Sequence, residues 1–294
     1  MGGSYFNPHD EAAGLRLKKH TGAAAGMLLR IETGGNAVER EIITSRANPL
    51  LTRVRKLNSR RSFRREEGRF AAEGPKLLTE ALRWGAELEA VIFATGVSLP
   101  ELPGLVRVVE VADSLLASIA DTESPQGIVF LCKGKALAMP GELTGERYLV
   151  LDGVQDPGNV GAIWRTADAF GVDGLILCNG CADPWNPKTV RATMGAVFRL
   201  PAYESTLETA AEKLVRAGIP LYATALREDT EDIRDVSFDQ AAVVIGSEGR
   251  GVSRQALELC GKTVKIPMRA RCESLNAAVA ASVVLWEMAR NDGK

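Results

Sequence analysis

The sequence predicts an α/β protein of two domains, on three observations. Short apolar, β-branched runs alternate with segments of helical apolar spacing along most of its 294 residues. A stretch from Lys133 to Glu146, with Gly134, Pro140, Gly141 and Gly145, separates two such series. The composition, 46% hydrophobic and 25% charged, is enough to bury a core in each half.

Residues 1–44 carry Gly2-Gly3, Gly22 and Gly34-Gly35 with no sustained period and are expected to form a flexible arm. Residues 45–132 read as a small α/β domain. Leu50, Val54 and Leu57 recur at helical spacing from Asn48 onward, beside Arg53, Arg55 and Lys56, so one helix face is apolar and the other cationic. A strand follows at Arg69 to Glu73, then a helix from Pro75 through Leu82, with proline at its first position. Apolar segments at Ala90 to Ala94, Val106 to Val111 and Gly127 to Cys132 read as strands, and Ser114 to Ala120 as a helix. Residues 133–146 read as a linker. In 147–294, strand candidates at Tyr148 to Val154, Gly174 to Cys178, Pro220 to Ala225, Ala242 to Ile245 and Thr263 to Pro267 alternate with helices, the pattern of a parallel sheet covered on both faces. The last helix, Ser274 to Arg290, is apolar on several faces, which suits burial against the sheet and against something else, such as a second subunit.

Composition excludes several function classes. No apolar run approaches the roughly 18 to 20 residues that span a bilayer, and Asp10, Glu11, Lys18 and Lys19 stand where a signal peptide would be apolar. A soluble, cytoplasmic protein is expected, and its five cysteines, an odd number, read as reduced thiols. His9 and His20 are the only histidines, so the globular part can build neither a Ser-His-Asp triad nor a His-rich metal centre, and no metal is expected. Arg46 to Lys76 holds ten basic residues against three acidic ones, a net +7, which against the whole chain's -1 leaves -8 elsewhere. Such a block is either the footprint of a polyanion partner or a solvated helix face.

Asp156-Pro157-Gly158-Asn159-Val160-Gly161 follows the first strand of the second domain and opens a helix that Gly171 ends, with Asp156 as N-cap. A bare patch beside Gly161 would let a ligand approach Arg165, which reads either as a fork for phosphate or carboxylate or as half of an ion pair with Asp168; spacing alone favours the pair. Gly246-Ser247-Glu248-Gly249-Arg250-Gly251 follows an apolar strand, so backbone either approaches a ligand there or simply makes a tight turn. It is neither a dinucleotide fingerprint nor a Walker loop. Glu248 repels phosphate and suits a hydroxyl or amino group. Ser274 reads as the N-cap of the last helix and Asn276 as a residue of its first turn. Cys178-Asn179-Gly180-Cys181 has the spacing of a redox or metal pair but reads as the turn after a strand.

Together these stretches resemble the SpoU/TrmH family of RNA 2′-O-ribose methyltransferases, of the SPOUT class. The first family motif is seen in Asn159 to Ala167, the second in Ile245 to Val252, and the third in Ile266 to Met268 with Ser274-Leu275-Asn276. Asn186-Pro187-Lys188 through Arg191, Met194, Gly195 and Ala196 is similar to a family stretch between the first two. Residues 48 to 132, with Ala72-Glu73-Gly74-Pro75 and Ser124-Pro125-Gln126-Gly127, are similar to the substrate-binding domain often fused ahead of the catalytic one.

The resemblance implies a carboxyl end threaded into a deep trefoil knot, an exception to the rule against threaded loops, and S-adenosylmethionine as cofactor, lying in that knot. Carried over by position, Gly246, Ile266, Met268 and Leu275 would hold the cofactor, while Asn159, Arg165, Glu248, Ser274 and Asn276 match the polar active-site positions, with Arg165 beside the methyl donor. Arg53, Arg55, Lys56, Arg60, Arg61, Arg64 and Arg65 would bind RNA. The implied reaction is 2′-O-methylation of ribosomal RNA of the 23S type, by a homodimer; a transfer-RNA methyltransferase and a non-catalytic RNA-binding or ribosome-assembly factor are the alternatives. Ala277 and Ala278 depart from the family's commoner Val and Ser without removing any of these roles.

Overall fold

The computed structural model describes residues 16–18, 26–33, 36–135, 137–227, 230–269, 271–272 and 274–290, as backbone alone before residue 40. The chain divides into two units, Met1–Lys133 and Gly134–Lys294.

The first unit holds β1 (Arg16–Lys18), β2 (Gly26–Thr33), β3 (Asn36–Ile43), α1 (Pro49–Ser59), α2 (Arg61–Glu67), β4 (Arg69–Glu73), α3 (Pro75–Arg83), β5 (Leu88–Ala94), β6 (Arg107–Val111), α4 (Asp113–Ala117) and β7 (Ile128–Lys133). The strands form one mixed sheet in the order β1-β2-β3-β6-β5-β7-β4. This corrects the flexible arm expected over residues 1–44: β2 and β3 pair antiparallel and β3 joins β6 in parallel, Arg40 to Ile43 facing Val108 to Val111. The expectation failed because the alternation of Leu29, Ile31 and Thr33 is short and interrupted, while Gly34-Gly35 between the two strands is itself a hairpin signal. Residues 1–15 and 19–25 of that arm lie outside the described residues.

The basic helix forms as its sequence dictates. Asn48 caps α1 by accepting from the Leu50 N–H at 2.9 Å, and Pro49 occupies the first turn. Leu50, Leu51, Val54 and Leu57 are buried in one core cluster with Ile92, Val109 and Leu131, each such burial stabilising by roughly 1.5–3 kcal/mol. Two arginines expected to meet RNA are instead committed to the fold. Arg64 is 3% exposed and donates to the Leu57 carbonyl at 2.5 Å and the Asn58 carbonyl at 3.2 Å, satisfying carbonyls that the end of α1 leaves open. Arg53 binds Glu67 at 2.6 and 2.9 Å and also pairs with Glu89, which Arg69 reaches at 3.0 Å. The hydrogen bond from Arg53, then that from Arg69, holds the Glu89 carboxyl below its ordinary value against the opposing effect of burial.

The second unit holds β8 (Arg147–Asp152), α5 (Pro157–Ala169), β9 (Gly174–Cys178), α6 (Pro187–Ala192), α7 (Ala196–Arg199), β10 (Ala202–Glu204), α8 (Leu207–Arg216), β11 (Leu221–Thr224), β12 (Glu231–Asp232), β13 (Ala241–Gly246), α9 (Arg254–Leu259), β14 (Lys262–Lys265) and α10 (Ala277–Met288). Its seven strands are all parallel, in the order β10-β9-β8-β13-β11-β14-β12. The central strands are near-continuous apolar runs because both faces are covered. α8 packs with Tyr148, Val150, Ile176 and Val244 on one face; α10 lies on β13 and α5. The edge strands β10 and β12 escaped the sequence reading, being three and two residues long.

Two further expectations change. Much of the supposed linker is bound to the second unit: Leu137 and Ala138 pair with Glu204, and Lys135 Nζ donates to the Phe198 carbonyl at 2.6 Å. The last helix is capped by Asn276, not Ser274. Its Oδ1 accepts from the N–H groups of Ala278 and Val279 at 2.9 and 3.3 Å, which leaves Ser274 outside the helix.

Replacing Arg64 with Ala strands two carbonyls in a buried place, so chemical denaturation of the full chain should show a loss of about 1–3 kcal/mol, against less than about 0.5 kcal/mol for Arg60→Ala at an exposed position. Equal losses would refute the brace.

Candidate active site

Parallel pairing sends the carboxyl ends of β13, β11 and β14 to one edge of the sheet, where open α/β sheets place their ligands. A cavity of about 390 Å³ opens there, within the range of small-molecule sites. Its walls are the turn from Gly246 to Val252, the segment from Thr224 to Arg227, Ile266 and Met268, and Ser274 with Leu275 and Ala277.

The glycine turn is closed by backbone alone. Ser247 N–H donates to the Gly251 carbonyl at 3.0 Å and Gly251 N–H returns to the Ser247 carbonyl at 2.9 Å. A Cβ on Gly246 would lie 2.0 Å from the Gly251 carbonyl carbon and 2.1 Å from the Val252 nitrogen. Neither backbone atom can withdraw without opening the turn.

A chain of side-chain amides reaches the turn from two helices. Asn276 has its Oδ1 committed to the first N–H groups of α10, so its Nδ2 faces outward and donates to Asn159 Oδ1 at 3.3 Å. Asn159 Nδ2 then donates to the Glu248 carboxylate. The Asn159 backbone N–H is held at 2.9 Å by Asp156, the N-cap of α5. Lys188 pairs with Asp156 at 2.9 Å, and its hydrogen bond, followed by that from Asn159, holds the Asp156 carboxyl below its ordinary value. Each amide is thus oriented by a helix start, and the carboxylate of Glu248 is oriented in turn.

Of the residues singled out in the sequence, Gly246, Ile266, Met268 and Leu275 line the cavity with Glu248 and Ser274, while Asn159 and Asn276 connect to it through Glu248. Arg165 departs from expectation. It is exposed on α5, it is not among the cavity-lining residues, and among the described residues no hydrogen bond or ion pair engages it. The pair with Asp168 favoured by spacing does not form, because Asp168 is taken by Arg199 at 2.7 and 2.8 Å. Nor is there a bare patch beside Gly161: a Cβ there would lie 2.5 Å from both the Thr189 carbonyl oxygen and the Ala192 Cβ, so α6 fills that space. Sequence reasoning missed Thr224, Leu226 and Arg227; their position at the end of a parallel strand was the available signal.

The C-x-x-C pair is structural. Cys181 Sγ donates to the carbonyls of Cys178 at 3.0 Å and Leu151 at 3.3 Å. Burial pushes the Cys178 thiol up to about 12 and the Cys181 thiol to about 11. Neither is a thiolate at neutral pH, which removes the nucleophile that redox chemistry needs. In the first unit, Arg60 and Arg61 are exposed, Arg65 is half-buried, Arg55 donates to the Arg46 carbonyl at 2.8 Å, and Lys56 sits 5.5 Å from the centre of the Phe63 ring.

Comparison with known proteins agrees with both units. The profile of the SpoU rRNA Methylase family matches residues 146–286, and that of the MRM3-like substrate binding domain matches residues 48–129. The chain is 30% identical to the 23S rRNA (guanosine(2553)-2′-O)-methyltransferase RlmP of Bacillus subtilis, over 84% of this chain and 98% of that one. Among solved structures, the AdoMet-bound rRNA methyltransferase of Sinorhizobium meliloti superposes with a TM-score of 0.77 at 31% identity, covering 87% of this chain and 99% of that one. The SpoU methyltransferase AviRb of Streptomyces viridochromogenes, in complex with AdoMet, gives 0.75 at 28% identity, covering 84% and 100%.

Gly246→Ala should cost about 1–3 kcal/mol in unfolding experiments, since its methyl group meets backbone that cannot give. Gly249→Ala, whose Cβ would meet nothing within 4 Å, should stay within about 0.5 kcal/mol of wild type. A neutral Gly246→Ala would show that the turn is not closed in this way.

Proposed function

The chain belongs to the SpoU rRNA methylase family, and from that premise we propose that it transfers a methyl group from S-adenosylmethionine to a ribose 2′-hydroxyl of ribosomal RNA of the 23S type. The observation that carries this reading is the oriented Asn276–Asn159–Glu248 chain meeting the glycine turn at the cavity. The residues present fit the cofactor: Gly246 exposes bare backbone, and Ile266, Met268 and Leu275 supply apolar walls for a flat ring. When bound, S-adenosylmethionine supplies an already activated methyl group, so this chain's work is to align the ribose hydroxyl and favour loss of its proton.

Glu248, fixed by Asn159, accepts from that hydroxyl and orients it, with Ser274 beside the same cavity. Arg165 presents a planar fork of N–H donors. As an exposed guanidinium without a partner among the described residues, it serves as a fork on a phosphate of the RNA and stabilises charge developing on the ribose oxygen. The exposed basic residues of α1, α2 and the residue that joins them, Lys56, Arg60 and Arg61 among them, hold the RNA backbone. The 2′-hydroxyl is the group that separates RNA from DNA. The relative from Bacillus subtilis supports the 23S class.

Mapping alkali-resistant positions in total RNA from cells with and without the protein tests the reaction and the substrate together. One position of the large ribosomal RNA should lose its methyl group in the deletion, and an unchanged map would sink the proposal. In the purified enzyme, Arg165→Ala should lower turnover by about 100-fold with RNA affinity nearly kept; loss of RNA binding alone would favour a non-catalytic factor.

The proposal includes a homodimer, a trefoil-knotted carboxyl end and a cytoplasmic setting. Exposed Val279 and Trp286 on α10, the latter edge-on to Phe170 at 5.8 Å, are the apolar surface that supports self-association. The glycine turn and the 266–275 stretch share one cavity, as a threaded end would have them, and a traced crystal structure checks that threading. The free thiols suit a reducing compartment, which fractionation checks. Sedimentation should give a dimer that Trp286→Glu converts to a monomer; a wild-type monomer at micromolar concentration would count against this part.

A further inference from the structure

Asp152 is the last residue of β8, where its strand neighbours are Gly246 at the end of β13 and Cys178 at the end of β9. Its side chain is 3% exposed, and among the described residues no lysine or arginine pairs with it. Burying a carboxylate without a cation is costly unless hydrogen bonds satisfy it. Both oxygens are used: Oδ2 accepts from the backbone N–H of Ser253 at 2.6 Å, and Oδ1 accepts from Asn179 Nδ2 at 2.7 Å.

Both donors are informative. Ser253 is the residue at which the glycine turn ends and α9 begins. The turn is therefore fixed at its entry by the Gly246–Asp152 register and at its exit by the Asp152 carboxylate. The arc between those points carries Glu248, Arg250 and Val252 to the cavity, whereas neither Asp152 nor Asn179 lines it. Asn179 belongs to the Cys178-Asn179-Gly180-Cys181 stretch, whose thiols do no chemistry. Its φ of 50° is left-handed, a conformation that glycine would adopt with less strain. The asparagine earns its place by what its amide reaches.

We propose that Asp152 is a positioning residue for the methyl-transfer site, and that with Asn179 it clasps the glycine turn in the register that binds S-adenosylmethionine. The inference rests on the function proposed above for the choice of ligand, whereas the clasp itself stands on the two hydrogen bonds to Asp152.

The test uses the full-length protein with Asp152→Ala, Asp152→Asn, Asn179→Gly and, as a remote core control on α8, Leu214→Ala, a position that is fully buried. S-adenosylmethionine is titrated calorimetrically into each, Tm is recorded, and amide hydrogen exchange at Ser253 is followed without ligand. Asp152→Ala should weaken binding by about tenfold or more and release the Ser253 amide to exchange, because two donors lose their acceptor. Asp152→Asn should stay within about threefold, since its amide oxygen still accepts from Ser253 while Asn179 turns its own amide over. Asn179→Gly, which keeps the backbone and removes the amide, should fall between them; it carries the test if Asp152→Ala fails to fold.

Unchanged affinity in folded Asp152→Ala overturns the assignment. So does an equal loss in Leu214→Ala at the same Tm, or an Asp152→Asn variant as weak as Asp152→Ala. If the wild type binds no S-adenosylmethionine at all, the function proposal is what fails. The clasp then stands or falls on Ser253 exchange, which must be slow in the wild type and fast in Asp152→Ala.

Discussion

At Gly246 two stretches of backbone pass so closely that no side chain fits between them, and the site is built outward from that contact. It closes a turn of five residues without using any side chain, so Glu248 and Arg250 remain directed at the cavity. The parallel sheet makes the contact useful. With β13, β11 and β14 all running the same way, three loops leave one edge together and enclose a volume that none could enclose alone. The amide chain from α10 through α5 then sets the direction of one carboxylate within it. Here helix capping and active-site geometry are one set of hydrogen bonds, because an asparagine that caps with its oxygen has its amide nitrogen left to give.

The first unit solves a different problem with similar chemistry. A stretch with ten basic residues between Arg46 and Lys76 must fold without self-repulsion. Part of the charge is spent internally: Arg64 satisfies the carbonyls ending α1, and Arg53 with Arg69 neutralises Glu67 and Glu89. Fewer side chains of the block are exposed, Lys56, Arg60 and Arg61 among them, than the linear count suggests. A cationic run is thus partly architecture and partly surface, and residue type does not tell the two apart.

The α/β class and the order of most strands and helices were legible in the amino-acid sequence. Each follows from local physics: apolar periodicity, proline and aspartate at helix starts, glycines where backbone must turn. That Gly246, Glu248, Ile266, Met268, Ser274 and Leu275 belong to one site was implied by the resemblance of the three motifs to a known family, and all six line the one cavity. Tertiary structure alone decided the rest. Asp168 chose Arg199 over Arg165 because α7 brings a second guanidinium within reach, and Gly161 faces α6 because helix crossing leaves room for no side chain there. Asn276 rather than Ser274 caps α10, and Arg40 to Ile43 of the supposed arm pairs in parallel with β6. In every such case the partner lies tens of residues away or a competing polar group stands nearby. Spacing along a chain ranks neighbours on one element, whereas the free energy of a polar contact depends on which group from another element arrives first at bonding distance.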